Sequence, residues 1–248
     1  GVLKVYPLAT VNGRYLSFAN GMSANERFGC LGNWYRLGFD RIDVDAEPGT
    51  FISTVVNNRA DRIARSRVFA SILVNDITAD QHFLIGSNLN GLLGYIKEAW
   101  DKQVADLSLW PQSGESPLSV FESAARRLRI PYNEKRLRAR LAAMLAAKEE
   151  QATPEVLDLC NNPTALATAL TECKFPREIE VVTFMSEAKL CQTEYDDFCA
   201  RLRSAGTVRD ANLDLAFRQL LWQWFERKLV VVADYYASGN QICQLIAE

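Results

Sequence analysis

Along most of the chain beyond residue 75, apolar residues recur at intervals of three and four, the mark of helices that bury one face. Residues 89–107 carry Leu92, Leu93, Ile96, Trp100 and Val104 at that spacing. After a break at 110–117, rich in Pro, Ser and Gly, the pattern predicts helices over 118–128 and 134–151. Ser116 or Ser119 stands near the start of the first, and Asn133 caps the second. Thr153-Pro154-Glu155 and Asn162-Pro163-Thr164 each put proline in a first turn, so each opens a further helix. Two more follow: one from Ser186 to about Arg203, ended by Gly206, and one capped by Asp210 or Asn212 that reaches about Tyr236 and stops at Ser238-Gly239-Asn240.

Three segments carry a different pattern. Residues 2–8 and 50–56 are β-branched and aromatic runs, and 176–184 alternates charged with apolar residues before turning β-branched, so each predicts a strand. Asn57 or Asn58 then caps a helix to about Val74, with Arg59, Arg62, Arg65 and Arg67 on its polar face. The glycines at 29, 32 and 38, set among Cys30, Trp34, Tyr35 and Phe39, predict a packed loop. The sum is an α+β fold, predominantly helical, with a small mixed sheet of the three strands. Strands so distant in sequence make 1–248 a single domain, with 110–117 as the place for any subdivision.

Composition narrows the function classes. The chain has 248 residues, 48% of them apolar, with 28 Lys+Arg against 30 Asp+Glu. A net charge of −2 argues against coating nucleic acid, which needs excess cations, and leaves only the local cluster between Arg126 and Arg140 for such a contact. Arg126, Arg127, Arg129, Lys135, Arg136, Arg138 and Arg140 there suit phosphate groups or an acidic partner, although arginine at helical spacing ordinarily forms a solvated face. No stretch approaches the length of a membrane-spanning helix. Six cysteines without C-x-x-C spacing read as buried thiols of a reducing compartment. His82 is the one histidine, which removes two-histidine metal sites, so no metal is expected. The glycine loops that cradle phosphate, G-x-x-x-x-G-K-[ST] and G-x-G-x-x-G, are missing.

Three segments, in order, resemble the motif layout of mono-ADP-ribosyltransferases, including bacterial toxins and secreted effectors. Lys4-Val5-Tyr6-Pro7-Leu8 leading to Tyr15–Met22 is similar to the opening strand and helix, Phe51-Ile52-Ser53-Thr54-Val55 to the F-[IV]-S-T-S strand, and Glu178-Ile179-Glu180-Val181-Val182 to the E-x-E strand. The resemblance implies an ADP-ribosyltransferase-like fold and NAD as cofactor. It implies that Glu180 stabilises the oxocarbenium-like ribose, that Glu178 faces the acceptor, and that Ser53, Thr54 and Arg36 contact NAD. Pro7 stands where these enzymes carry arginine, which weakens NAD binding and makes the chain either an enzyme or a pseudoenzyme. The implied setting is secretion from a bacterium into a host cytosol, with a host protein as target; otherwise the chain is cytoplasmic. A second reading is a helical binding or assembly protein, such as a viral capsid or nucleocapsid subunit or an adaptor, using its arginine-rich helix faces. A third is an enzyme built from scattered acids and His82.

Overall fold

The computed structural model describes residues 3–11, 13–21, 24, 26–146, 148–206 and 208–233. Two small antiparallel pairs open the chain: β1 (Lys4–Val5) with β4 (Ala19–Asn20), and, between them, β2 (Ala9–Val11) with β3 (Arg14–Leu16). Helix α1 (Arg27–Arg36) follows, capped by the Glu26 side chain on Gly29 N–H. The glycine-rich stretch predicted as a loop is therefore a helix whose Trp34 is buried against Phe39.

The main sheet is wholly parallel. β5 (Ser53–Asn58) leads through α2 (Ile63–Asn75) to the central strand β6 (Gln81–Gly86). The chain then leaves through α3 (Leu89–Val104), α4 (Pro117–Arg127), α5 (Glu134–Leu145), α6 (Pro154–Leu157), α7 (Pro163–Glu172), α8 (Glu178–Ala205) and α9 (Ala211–Glu226). It returns as β7 (Leu229–Ala233) on the far side of β6. The fold is thus α+β and predominantly helical with small sheets. Of the three predicted strands only the one at 50–56 joins the main sheet. The other two strands of that sheet are the central Gln81–Gly86, to which the sequence pattern assigned no element, and Leu229–Ala233, which was assigned to the last helix and pairs with Gln81–Gly86. The rest of that assignment, to Tyr236 and 238–240, lies outside the described residues.

The predicted strand at 176–184 is instead the start of α8. Its buried stripe, Val181, Met185, Ala188, Gln192, Tyr195, Cys199 and Leu202, begins inside that segment and keeps helical spacing for six turns. Glu178 and Glu180 sit in the first turn, where negative charge favours the helix dipole. At about 1.5 Å per residue, the 28 residues of α8 extend roughly 42 Å. Its first half packs with Leu137, Leu141, Leu166 and Phe175 in one apolar cluster. Its second half enters a larger one with α3, α4, α9 and the sheet. There Phe121 stands among aromatic rings, 4.6 Å from Phe198, 4.9 Å from Tyr195 and 5.7 Å from Trp224 by ring centroids. The 110–117 segment joins α3 to α4, which both pack into this larger cluster.

Asn133 caps α5 as expected, Ser116 and Asp210 are the caps used where two candidates stood, and Thr153 and Asn162 cap the two helices that open on proline. Ser116, Asn133, Thr153, Asn162 and Asp210 each accept from a first-turn N–H of the helix that follows. Asn58 does not cap α2; its amide donates to Ser87 O and its oxygen accepts from the Ser66 hydroxyl, which locks the ends of β5 and β6 together. Gly86 beside them has φ +105°, and a Cβ there would lie 2.1 Å from Asn58 O. Gly86→Ala is therefore expected to lower unfolding stability by about 2 kcal/mol or more, because strained backbone and a backbone clash coincide. Urea denaturation checks this, and an unchanged midpoint would show that the strand ends relax freely.

Candidate functional site

The arginines predicted as a solvated face divide into two sets. Arg138 is exposed and pairs with Asp158. Arg129, Arg136 and Arg140 are buried. On α5, Arg136 and Arg140 sit next to Leu137 and Leu141 in one inward stripe, so their guanidinium groups end inside the molecule. Arg129 holds a left-handed backbone, φ 53°, just after α4, a conformation that disfavours residues with a Cβ. The turn is closed by Arg129 N–H on Arg126 O and Ile130 N–H on Ala125 O.

Arg129 and Arg140 converge on Asp80, the residue just before β6. Asp80 Oδ2 accepts from Ile52 N–H at 2.8 Å, and Oδ1 accepts from Arg140 Nη2 at 3.2 Å. Arg129 Nε is 3.0 Å from the same Oδ1 but off the hydrogen-bond direction, so that contact is a charge contact. Arg129 also donates to Ile42 O and Thr50 O, and Arg140 to Thr50 O. Lys228, just before β7, donates to Ala79 O and Leu128 O. Burial pushes the Lys228 ammonium down to about 8, with Asp80 opposing and Arg129 and Arg140 adding to the fall. Burial likewise lowers the Arg140 guanidinium, again against Asp80.

A second carboxylate, Asp45, holds the outer part. Arg136 grips it with Nε at 2.7 Å and Nη2 at 2.8 Å, and Arg126 Nη2 reaches it at 2.6 Å. The guanidinium of Arg136 lies 4.3 Å from the ring centre of Tyr132, and that of Arg140 4.3 Å from Phe51. Between residues 44–48 and the start of α5 lies a cleft of about 240 Å³. Arg129, Lys135, Arg136 and Arg140 line it, with Asp45 as the carboxylate and Val44, Pro48, Ile130, Pro131 and Ala139 as apolar walls. A neighbouring cleft of about 360 Å³ shares Val44 and Arg129 with it and is lined by Asp40, Asp43 and Asp76. Positive charge outweighs negative in the first cleft, and burying a surplus of one sign is unfavourable unless a counter-charge meets it.

The residues singled out by the E-x-E and F-[IV]-S-T segments are not assembled in this way. Ser53 is exposed at the head of β5. Thr54 shares a 2.8 Å hydrogen bond with His82 Nδ1. Arg36 ends α1 on the surface. Glu180 pairs with Arg14 at 2.8 Å and Arg177 at 3.6 Å. On a helix, residues two apart point to different sides, so Glu178 and Glu180 do not share a face as they would on a strand. Phe51 touches Phe184 edge-on at 5.4 Å, yet no hydrogen bond or ion pair among the described residues joins either glutamate to Ser53, Thr54 or Arg36.

Residues 5–169, about two-thirds of the chain, match the family model described as poly-gamma-glutamate synthase CapB C-terminal domain. The chain belongs to that family. No curated protein and no solved structure matches it. The ADP-ribosyltransferase resemblance, with the toxin and effector reading attached to it, is thereby corrected, and the family match does not lead to a capsid, nucleocapsid or adaptor either. F-I-S-T and E-x-E-V-V are short enough to arise in unrelated chains, and the second lies on a helix beyond the matched residues. The NAD and host-cytosol expectations came with that resemblance and are not carried forward. The CapB C-terminal segment contains every residue lining the cationic cleft, whereas Lys228 behind it lies outside the match.

Among the described residues, no helix is long and apolar enough to cross a membrane. Nor does any group of three or more His, Cys, Asp or Glu among them form a metal-holding cluster. Burial pushes the thiols of Cys30, Cys160, Cys191 and Cys199 up, away from nucleophile character.

His82 is buried in β6, and burial, aided by Lys228, lowers its pKa to about 3. It is neutral at pH 7. Against an ordinary value of 6.5, the unfolded chain binds the extra proton between pH 6.5 and 3, so the contribution of neutral His82 is lost as pH falls through that window. Wild type is expected to lose stability more steeply there than His82→Gln, as measured by urea unfolding at stepped pH. Parallel curves would mean that the ring titrates alike in both states.

Proposed function

We propose that this chain serves in the synthesis of poly-γ-glutamate, as the C-terminal module of a CapB-type synthase. The observation that carries this reading is the family match over 5–169, which spans the whole cationic cleft. The chemistry of such a product supports it. A γ-linked glutamate polymer joins the side-chain carboxyl of one unit to the amine of another and leaves an α-carboxylate free on every unit. Substrate and product are therefore both anionic, and a module that handles either works best with surplus positive charge where it touches them. The buried arginines supply that surplus at fixed positions, held by Asp80, Asp45 and backbone carbonyls.

Cells from which the coding sequence of this chain has been removed are expected to make no poly-γ-glutamate, and restoring the sequence is expected to restore it. The check is acid hydrolysis of the purified polymer with amino-acid quantification. Undiminished polymer in the deleted cells would overturn the reading.

A further inference from the structure

The cationic cleft has donors left over after its internal contacts are counted. Lys135 is exposed at the cleft, in the first turn of α5, and makes no ion pair among the described residues. The Tyr132 hydroxyl makes no hydrogen bond among them. Arg136 uses Nε and Nη2 on Asp45 and Nη1 on Ile130 O, which leaves one N–H on each terminal nitrogen. Asp45 is itself shared with Arg126, so the carboxylate nearest to Arg136 answers two cations. The result is a partly enclosed pocket with fixed guanidinium groups, one unpaired ammonium, a free hydroxyl and apolar walls of Val44, Pro48 and Ala139. That combination suits an anion carried on a short aliphatic chain.

We propose that this cleft is a carboxylate-binding site that takes the α-carboxylate of a glutamyl unit, with Lys135, Tyr132 and Arg136 as the receiving groups. This rests on the reading of the chain as a poly-γ-glutamate synthase module. Lys135 and Arg136 supply charge-assisted hydrogen bonds to the carboxylate. The aliphatic part of the unit lies along Val44, Pro48 and Ala139. Asp45 keeps Arg136 in place and Asp80 keeps Arg129 and Arg140 in place, so the cations stay preorganised rather than being gathered by the ligand.

The test is calorimetric titration of the 248-residue chain at low salt with γ-linked triglutamate, free glutamate and inorganic phosphate. Binding of the triglutamate, alone or together with free glutamate, is expected; the first pattern assigns the site to the chain and the second to the single unit. Lys135→Gln removes one charge-assisted contact and is expected to weaken binding by about ten-fold. Because Lys135 has no ion pair to lose, its variant tests the site without testing the fold. Arg67→Gln, on the surface of α2 and paired with Glu98, is the control and is expected to leave affinity unchanged. Equal loss in both variants would mean diffuse polyanion attraction and would overturn the proposal, as would phosphate binding that matches or displaces triglutamate. No binding by a chain that cells still need for polymer would overturn the carboxylate site alone. Binding by a chain that cells do not need would leave the site standing and remove the synthase reading.

Discussion

One carboxylate, that of Asp80, sits at the node on which the arrangement depends. It accepts from Ile52 N–H, meets Arg129 and Arg140, and lies close enough to Lys228 to oppose the fall in that ammonium's pKa. Its partners come from places far apart in the sequence: the head of β5, the turn after α4, the middle of α5 and the start of β7. Burying charges is unfavourable unless their partners are in position, so the network demands that all these segments arrive together. The same demand fixes the guanidinium groups of the cleft. The left-handed backbone at Arg129 belongs to this constraint, since the position would suit glycine in conformation but needs a long cationic side chain.

The cleft lies where the chain passes from one apolar cluster to the other. Ile130 belongs to the cluster built on the sheet, and Leu137, seven residues on, to the cluster built on α5 and α7. Helix α8 runs through both. The polar network therefore occupies a seam between apolar regions, which explains how arginines that are nearly fully buried still border a cleft. Residues 5–169 contain the cleft but not α8, α9 or β7, and those later elements supply apolar packing and Lys228.

Much of the helical architecture was legible. The helix starts at Ser116, Asn133, Thr153, Asn162 and Asp210 were signalled by short oxygen-bearing side chains before an apolar stripe, although the same signal at Asn58 serves the strand ends instead. The stripe Leu92, Ile96, Trp100, Val104 was equally direct. The sheet was not. Gln81–Gly86 alternates buried positions with the exposed Gln81 and the half-buried Phe83 and Ile85, and in the sequence His82 and Leu84 contrast too weakly with the apolar Phe83 and Ile85 to announce a strand. Glu178–Phe184 alternates like a strand over its first residues, and only the run onward to Leu202 reveals the helical period. The basic cluster at 126–140 was visible, but its orientation was not. Arg136 and Arg140 beside Leu137 and Leu141 carried the signal for an inward face. The partners that draw them in lie 91 residues earlier for Arg136, at Asp45, and 60 residues earlier for Arg140, at Asp80, and residue spacing holds no record of such pairings.

The measurement closest to the centre of this account is a double-mutant cycle on the buried network, read by urea unfolding at pH 7. Asp80→Ala leaves Arg129, Arg140 and Lys228 without their shared carboxylate and is predicted to lower stability by about 3–5 kcal/mol. Asp80→Ala combined with Arg140→Met removes one of the stranded cations and is predicted to be less destabilised than the sum of the two single changes. If Asp80→Ala unfolds at the wild-type urea concentration, or if the two effects simply add, Asp80 is not the node that holds the cleft together.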